Sequence, residues 1–505
     1  MHSLKEWSKA TRYIYITLLF SSGLAILLYC FRNGISGNDF WWHIKVGEWI
    51  CENRAVPHKD IFSWYGMSHD FEWTAHEWLS EIIYWLLYKW SGEGGIFLFS
   101  VGSAILMLLL LLWRIRRYLT DNCLITAFYI CLFCVLMSLF FYGRPHVFSF
   151  YLLYGELYCL YEYTEGRRKW CIYLIPILAC LWSNLHGGYA NLSYLLILLV
   201  ILSGIRKWRI GRIYSNRWKM GQLIQLLVIM LLTIGTVCFN PAGYRILIYP
   251  YVNLTDPVAM NAISEWAAPD AKNIGQLVLY FFPILLMSSG ILLGRQAVKL
   301  RDVVLMLLFL FLFFRSVRFI VLFYISAAFW AFPYQLPCRL KDIDTTVEKI
   351  LVAGLELLLV FMVGFSVRGC LAVWKQGELI TETLDKQVIE LVIEDAPERL
   401  FNDYNYGGSL IFYEIPVFVD ERADLYAQDH LLADCVSLML LQQANSSAGT
   451  ERLNVEALVE QYDFDAFLIG TNRPLYSYLA SHEDRYEAVY VSENTAYYQK
   501  RNQQQ

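Results

Sequence analysis

Eleven apolar runs divide the chain, at roughly 13–31, 96–113, 123–142, 147–163, 171–183, 189–205, 221–239, 276–294, 303–314, 319–335 and 350–367. Each approaches the length needed to cross a hydrocarbon core of about 30 Å, so each reads as a membrane-spanning helix. The first resembles a signal peptide in position. It lacks a small-residue cleavage site, and Tyr29-Cys30-Phe31-Arg32 follows it, so it reads as an uncleaved anchor. Beyond 368 the pattern changes. Short apolar stretches at 399–402, 416–420, 464–470 and 486–491 read as strands, separated by Glu-rich helical stretches. The expected fold is an α-helical polytopic membrane module over 1–367, with about 11 spans, followed by a small α/β domain over 368–505.

The connections between runs alternate in charge. Stretches 2–12, 114–122, 164–170, 206–219, 295–301 and 336–349 carry 21 Lys and Arg in 62 residues. Stretches 32–95, 143–146, 184–188, 240–275 and 315–318 carry 10 in 113. The positive-inside rule makes the first set cytoplasmic. The amino terminus is then inside, and an odd number of spans puts 368–505 outside.

Composition agrees. Of 505 residues, 57% are apolar and only 17% charged, well below the quarter usual for soluble domains. The net charge of −4 comes without a basic block, which disfavours nucleic acid as a partner. Of the 12 cysteines, only Cys51 and Cys435 fall in polar segments; a disulfide between them stays open, and no zinc spacing occurs.

Polar chemistry collects on the outer side. Except for His2, every histidine is expected there: His43, His58, His69, His76, His146 and His186 in loops, His430 and His482 in the tail. Three short outer turns are polar: Gly143-Arg144-Pro145-His146, Asn184-Leu185-His186-Gly187-Gly188 and Arg315-Ser316-Val317-Arg318. The runs at 171–183 and 303–314 reach only about 20 Å at the α-helical rise. Their outer ends should then lie below the membrane surface, where polar groups need a water-filled cavity or one another. Arg144, His146, Asn184, His186, Arg315 and Arg318 are therefore expected on the walls of an outward-open cavity. The alternative is that the arginines snorkel to headgroups.

The first outer loop, 32–95, reads as ordered. Amphipathic stretches at 39–50 and 73–88 carry tryptophans suited to the membrane interface, which suggests two interfacial helices. Asp39 stands at the start of the first. Either Asn38 or Asp39 caps exposed backbone amides there, or Asp39 is a carboxylate placed to take a proton from an acceptor hydroxyl.

The ordered motifs are specific. Asp39-Phe40-Trp41-Trp42-His43, Gly47, Pro57, Asp60, Phe62-Ser63, Trp73, His76-Glu77-Trp78-Leu79 and Glu81 resemble a group of bacterial polytopic proteins in the GT-C glycosyltransferase superfamily. So do Arg144-Pro145-His146, Asn184-Leu185-His186-Gly187-Gly188, Asn240-Pro241-Ala242-Gly243, Glu265-Trp266 and Arg315–Arg318. In the tail, Phe401-Asn402-Asp403-Tyr404, Gly407-Gly408 and Asp420-Glu421-Arg422-Ala423-Asp424-Leu425-Tyr426 continue the likeness. The resemblance implies a GT-C-like fold in the cytoplasmic membrane and a sugar donor on a polyprenyl phosphate or diphosphate. By that analogy Asp39 is the general base, and Arg144, Arg315 and Arg318 clamp the donor phosphate, as the arginine fork suits. His146 or His186 bonds phosphate or sugar, and His43, His76, Glu77 and Asn184 complete the substrate-binding candidates. Asp39 stands beside Asn38 and Phe40 rather than a second acid. No cofactor is fixed, and a divalent ion, Mg or Mn, is left open.

The expected reaction is inverting transfer on the outer face to an acceptor glycan, lipid or protein. Asp403, Asp420, Arg422 and Asp424 in the tail either close over the acceptor or form a salt-bridged turn network. Three rivals remain. A lipid-linked oligosaccharide polymerase or ligase needs the His and Arg cavity but not Asp39. A metal centre could draw on His43, His76, His146 and His186 with nearby carboxylates, although no HxxxH or HExxH spacing occurs. A transporter or envelope-assembly protein needs charge within the spans, where only Glu156 and Glu356 stand out.

Overall fold

A computed structural model describes residues 8–119, 121–141, 143–255, 258, 260, 265–335, 343, 345–377, 379–381, 384–442 and 454–501. His2 and the basic connection at 336–342 lie outside that set. Contacts divide the chain into two units: Met1–Ile35, Trp90–Leu247 and Glu265–Ile380 in one, and Ser36–Lys89, Ile248–Ser264 and Thr381–Gln505 in the other. The first loop thus folds with the tail.

In the first unit all eleven apolar runs are helical. Among the described residues six helices are long and apolar enough to cross a membrane: Lys9–Phe31, Glu93–Tyr118, Cys123–Phe140, Met220–Val237, Ile274–Leu293 and Thr346–Gln376. Lys169–Leu185, Gly187–Leu202 and Val317–Trp330 are apolar but shorter, and His146–Thr164 and Leu300–Arg315 complete the set. On Thr346–Gln376, Leu351, Leu357 and Phe361 are each more than 65% exposed. Apolar surface of that extent needs lipid rather than water around it, and the chain is a membrane protein.

The helix Ile320–Trp330 is the opposite case, with every residue buried. A helix apolar on all faces belongs at the centre of a bundle, and this one packs on His146–Thr164, Leu300–Arg315, Glu93–Ile115 and Cys123–Phe140. Tyr129 OH donates to the Tyr324 carbonyl at 2.7 Å, and Trp330 Nε1 to Ser326 Oγ at 3.0 Å, while the Tyr324 hydroxyl is buried without a hydrogen-bond partner. Glu156, one of the charges within the runs, accepts from Ser193 Oγ at 2.7 Å.

Helices reach further into the polar turns than expected. Leu300–Arg315 includes Arg315, Ile175–Leu185 includes Asn184, and His146 is the first residue of His146–Thr164. Backbone bonding continues until the chain must reverse, so these side chains sit on helix ends.

The second unit holds a four-stranded sheet in the order Leu400–Asn402, Ala466–Gly470, Thr495–Lys500, Tyr486–Val491. The first pair is parallel and the others antiparallel. The stretch 416–420 is not one of its strands. Its backbone instead meets the first loop: Trp64 N donates to the Val417 carbonyl at 2.9 Å, and Val417 N to that of Phe62 at 3.3 Å. Trp64 stacks on Phe418 at 5.5 Å and donates from Nε1 to the Leu400 carbonyl at 3.0 Å. Phe418, Phe464 and Phe401 complete this aromatic core.

Helix Asp39–Asn53 packs on Gly407–Phe412 from the tail. Trp41 and Trp42 are buried, with Trp41 against Phe412 at 4.5 Å, so packing within the unit accounts for them. The second amphipathic stretch begins its helix at Trp78, after a turn at 74–77. Cys51 and Cys435 are both free thiols.

Candidate active site

Asp39 occupies the first turn of Asp39–Asn53, and Asn38 makes no side-chain capping bond. A carboxylate there is favoured by the positive end of the helix dipole. The tail brings a second acid to the same place. A Cβ on Gly407 would collide with Asp420, and one on Gly408 would lie 2.5 Å from the Asn38 carbonyl oxygen and 3.1 Å from Glu421 Oε2. Only glycine permits this approach. Gly408 N then donates to Glu421 Oε2 at 2.9 Å, and Tyr404 OH to the Glu421 carbonyl at 3.1 Å. Glu421 Oε1 is buried without a hydrogen-bond partner. Burial pushes the Glu421 carboxyl well up, and the charges of Asp39 and Asp420 push it further. Glu421 is therefore disposed to hold a proton beside Asp39. Sequence reasoning passed over it, although it lies inside the Asp420–Tyr426 motif.

A second group forms where Asp39–Asn53 crosses Trp78–Ser91. A Cβ on Gly47 would collide with the Glu81 carbonyl oxygen and stand 2.8 Å from Trp85 Cβ, so the crossing is as close as backbones allow. One turn before Gly47, His43 lies with Nε2 3.9 Å from Glu77 Oε2 and Nδ1 3.4 Å from Glu81 Oε1. His76 Nε2 is 3.4 Å from Glu77 Oε1, and its ring lies 4.4 Å from that of Tyr249. Burial works to lower the His76 pKa, but Glu77 and Asp424 outweigh it and hold it above the ordinary value. Asp424 is raised by burial, against the opposing pull of His76 and the Tyr249 hydroxyl. Glu81 is pushed well up, chiefly by burial and then by the Glu77 charge.

The remaining tail charges are knit into the unit. Arg422 grips Asp420 from Nε at 2.8 Å and Nη2 at 2.6 Å, and the same Nη2 lies 2.9 Å from Asp60 Oδ1. Tyr426 OH also donates to Asp420, and Ser63 OH to Asp60. The Arg422 guanidinium sits 4.6 Å over the Trp73 ring. Asp403 takes both Nε and Nη2 of Arg473, at 2.6 and 3.1 Å.

In the first unit, Arg144 donates to both oxygens of Glu265, at 2.8 and 2.9 Å. Arg318 lies over the rings of Trp266 and Tyr189, at 5.4 and 5.2 Å. Burial works to raise Glu265, but Arg144 and Arg318 prevail and hold it below the usual carboxylate value. Ser316 OH and Arg318 N both bond the Glu265 carbonyl, at 2.9 and 3.3 Å. His146 Nε2 meets the Phe140 carbonyl at 2.6 Å. His186 Nδ1 pairs with Ser149 Oγ at 2.7 Å, and its ring meets Tyr189 edge-on at 4.6 Å. Asn184 donates to the Cys180 and Phe239 carbonyls at 2.8 and 2.7 Å, tying two helix ends together. Glu265 thus collects Arg144 and Arg318, with His146 in electrostatic reach. Arg315 closes its helix three residues before Arg318.

No known protein family and no curated protein matches the sequence. Solved structures do. The archaeal oligosaccharyltransferase AglB from Archaeoglobus fulgidus, in complex with an inhibitory peptide and a dolichol-phosphate, superposes with a TM-score of 0.57 at 11% identity. The match covers 97% of this chain and 74% of that one. The Archaeoglobus fulgidus oligosaccharyltransferase tethered to an acceptor peptide containing the NVT sequon gives 0.54 at 11% identity, covering 97% of this chain and 74% of that one. Its apo form gives 0.51 at 12%, with 97% and 75% covered. At such identity the likeness is one of fold alone, and the chain shares the fold of these oligosaccharyltransferases.

Proposed function

We propose that this protein is a glycosyltransferase of the bacterial cytoplasmic membrane, moving a sugar from a polyprenyl-phosphate-linked donor to an acceptor on the extracytoplasmic face. In this reading the chain crosses the membrane eleven times and its tail lies outside. The observation that carries it is an acid pair, Asp39 and the buried Glu421 held against the Asn38–Asp39 helix start through Gly408, in a fold shared with oligosaccharyltransferases. Asp39 takes the proton of the acceptor nucleophile as that atom bonds to the anomeric carbon. The bond from that carbon to the lipid phosphate breaks, the phosphate leaves with the electron pair, and the configuration inverts. Arg144, Arg315 and Arg318 neutralise the phosphate through charge-assisted hydrogen bonds. Asp420, Arg422 and Asp403 hold the tail in shape. That AglB is complexed with a dolichol-phosphate supports a lipid-phosphate donor.

A second reading follows from those same neighbours being oligosaccharyltransferases: the donor carries an oligosaccharide, and the chain is a lipid-linked oligosaccharide polymerase or ligase. One experiment separates the two. Purified protein in nanodiscs is given a panel of polyprenyl-phosphate sugars, and Asp39→Asn is compared with wild type. Removing a general base costs about 10²–10⁴-fold in turnover, with donor binding retained. Full activity in Asp39→Asn with loss in Arg315→Ala favours the polymerase or ligase. Failure of wild type to bind any such donor leaves a transporter or assembly role.

A further inference from the structure

We propose that His43, Glu77 and Glu81 form a binding site for one divalent ion of the Zn²⁺ or Mn²⁺ class. Among the described residues this is the one set of three His, Cys or carboxylate donors whose ligand atoms all lie within 4.8 Å of one another. Asp39 is not part of it, and the proposal stands independently of the sugar-transfer reading.

The spacing is that of ligands around a shared centre. Metal–ligand bonds of 2.0–2.2 Å set tetrahedral donors roughly 3.4 Å apart. One ion takes only one His43 nitrogen. With one ligand atom from each residue, the three donors lie within 4.8 Å of one another, a set that an ion would draw together. The pairwise approaches, 3.4 Å from Nδ1 to Glu81 and 3.9 Å from Nε2 to Glu77, are longer than a charge-assisted hydrogen bond, which closes to about 2.7–2.9 Å. The group is not a salt bridge drawn tight.

A second observation points to a missing partner. The Glu81 side chain is 1% exposed and faces His43, yet its Oε2 has no hydrogen-bond partner. An orphaned buried carboxylate oxygen is costly and calls for an explanation. Arg422 does not supply it: it acts on Glu81 through its charge, and its guanidinium is held by Asp420 and Asp60. Glu77 and Glu81, one helical turn apart, are thus two carboxylates gathered around His43, and the Glu77 charge acts on Glu81. A divalent ion balances two carboxylates where a neutral imidazole cannot.

The donor chemistry selects the ion. Imidazole suits zinc and its neighbours, while carboxylates also suit manganese; Ca²⁺ and Mg²⁺ favour all-oxygen sets. His76, bonded to Glu77 from outside the set, orients that ligand, as outer partners of metal ligands commonly do. Gly47 keeps the two helices close enough for one ion to reach both.

The test uses the full chain in nanodiscs, stripped with EDTA and then equilibrated with Zn²⁺, Mn²⁺ or Co²⁺. Bound metal is counted by mass spectrometry, and Co²⁺ is also read by its d–d absorption. One equivalent per chain is expected. The isosteric Glu81→Gln and the truncation His43→Ala should each abolish it, while His76→Ala weakens affinity about 10–100-fold. Glu421→Gln, outside the set, keeps full stoichiometry and shows that a tail substitution does not disturb the site. Absence of metal on wild type, or undiminished metal on both Glu81→Gln and His43→Ala, overturns the proposal. So does a protonated-carboxyl infrared band that persists in the presence of the ions and is lost in Glu81→Gln, because Glu81 then holds a proton instead. None of these readouts involves turnover, so a failure here is separable from a failure of the glycosyltransferase reading.

Discussion

Replacing Arg422 with Met is the sharpest test of how the second unit is built. The guanidinium bridges Asp420 and Asp60, at 2.6 and 2.9 Å, with all three side chains at 1% exposure or less. Breaking a buried pair by removing one partner costs about 3–5 kcal/mol, because the remaining charge is stranded. Here two carboxylates are stranded, but each keeps local donors: the Phe62 amide and Ser63 hydroxyl for Asp60, and the Arg422 amide and Tyr426 hydroxyl for Asp420. Those bonds limit the loss, and about 3–5 kcal/mol is expected rather than twice that. The assay is a urea titration of the full chain in nanodiscs, read by protease sensitivity within 36–89 and 384–501. A triple variant that adds Asp60→Asn and Asp420→Asn removes the stranded charge and should recover most of the stability. A loss below about 1 kcal/mol in Arg422→Met, the level of an exposed pair, would refute the burial argument. So would a triple variant no better than the single one.

Other outcomes follow from neighbouring features. Gly47→Ala should destabilise the second unit by about 1–3 kcal/mol, the usual cost of overpacking, and should also lower metal occupancy at His43, since its Cβ forces the helices apart. Glu421 has a folded pKa above the ordinary 4.5, so the folded state binds its proton more tightly than the unfolded chain does. Its ionisation therefore erodes stability as pH rises from the unfolded to the folded pKa. Thermal midpoints of wild type should fall across that window, and Glu421→Gln should flatten the slope; parallel slopes would contradict the assignment. Asp39→Asn should lose turnover by two orders of magnitude or more while binding donor normally.

The helices were legible because the bilayer imposes a length on them: each of the eleven apolar runs is helical. Their ends were less so, since polar residues such as Asn184 and Arg315 continue the hydrogen-bonded helix past the apolar run. The apolar alternation at 416–420 suggested a strand, but Val417 and Phe418 serve the contact with Trp64. The edge of polarity at Thr495–Lys500 hid a strand that is central in the sheet. At the site, Asp39, His43 and Glu77 stand out by type and motif. Their partners Glu421 and Glu81 lie in the same motifs, but what makes them partners is burial and a close glycine contact, which no local pattern encodes. For the same reason Asp420, Arg422 and Asp403 looked like candidate chemistry until their ion pairs were visible.

The hydrogen bond from Trp64 to the Leu400 carbonyl joins residues 336 positions apart, and this separation has a consequence for biogenesis. At about 5–20 residues per second, the ribosome reaches Leu400 roughly 20 seconds to a minute after making Trp64. During that interval the loop carrying Trp41 and Trp64 waits without its aromatic partners. Premature termination before the tail would leave that surface permanently bare, so truncated chains should be prime substrates for chaperones and proteases that survey the membrane.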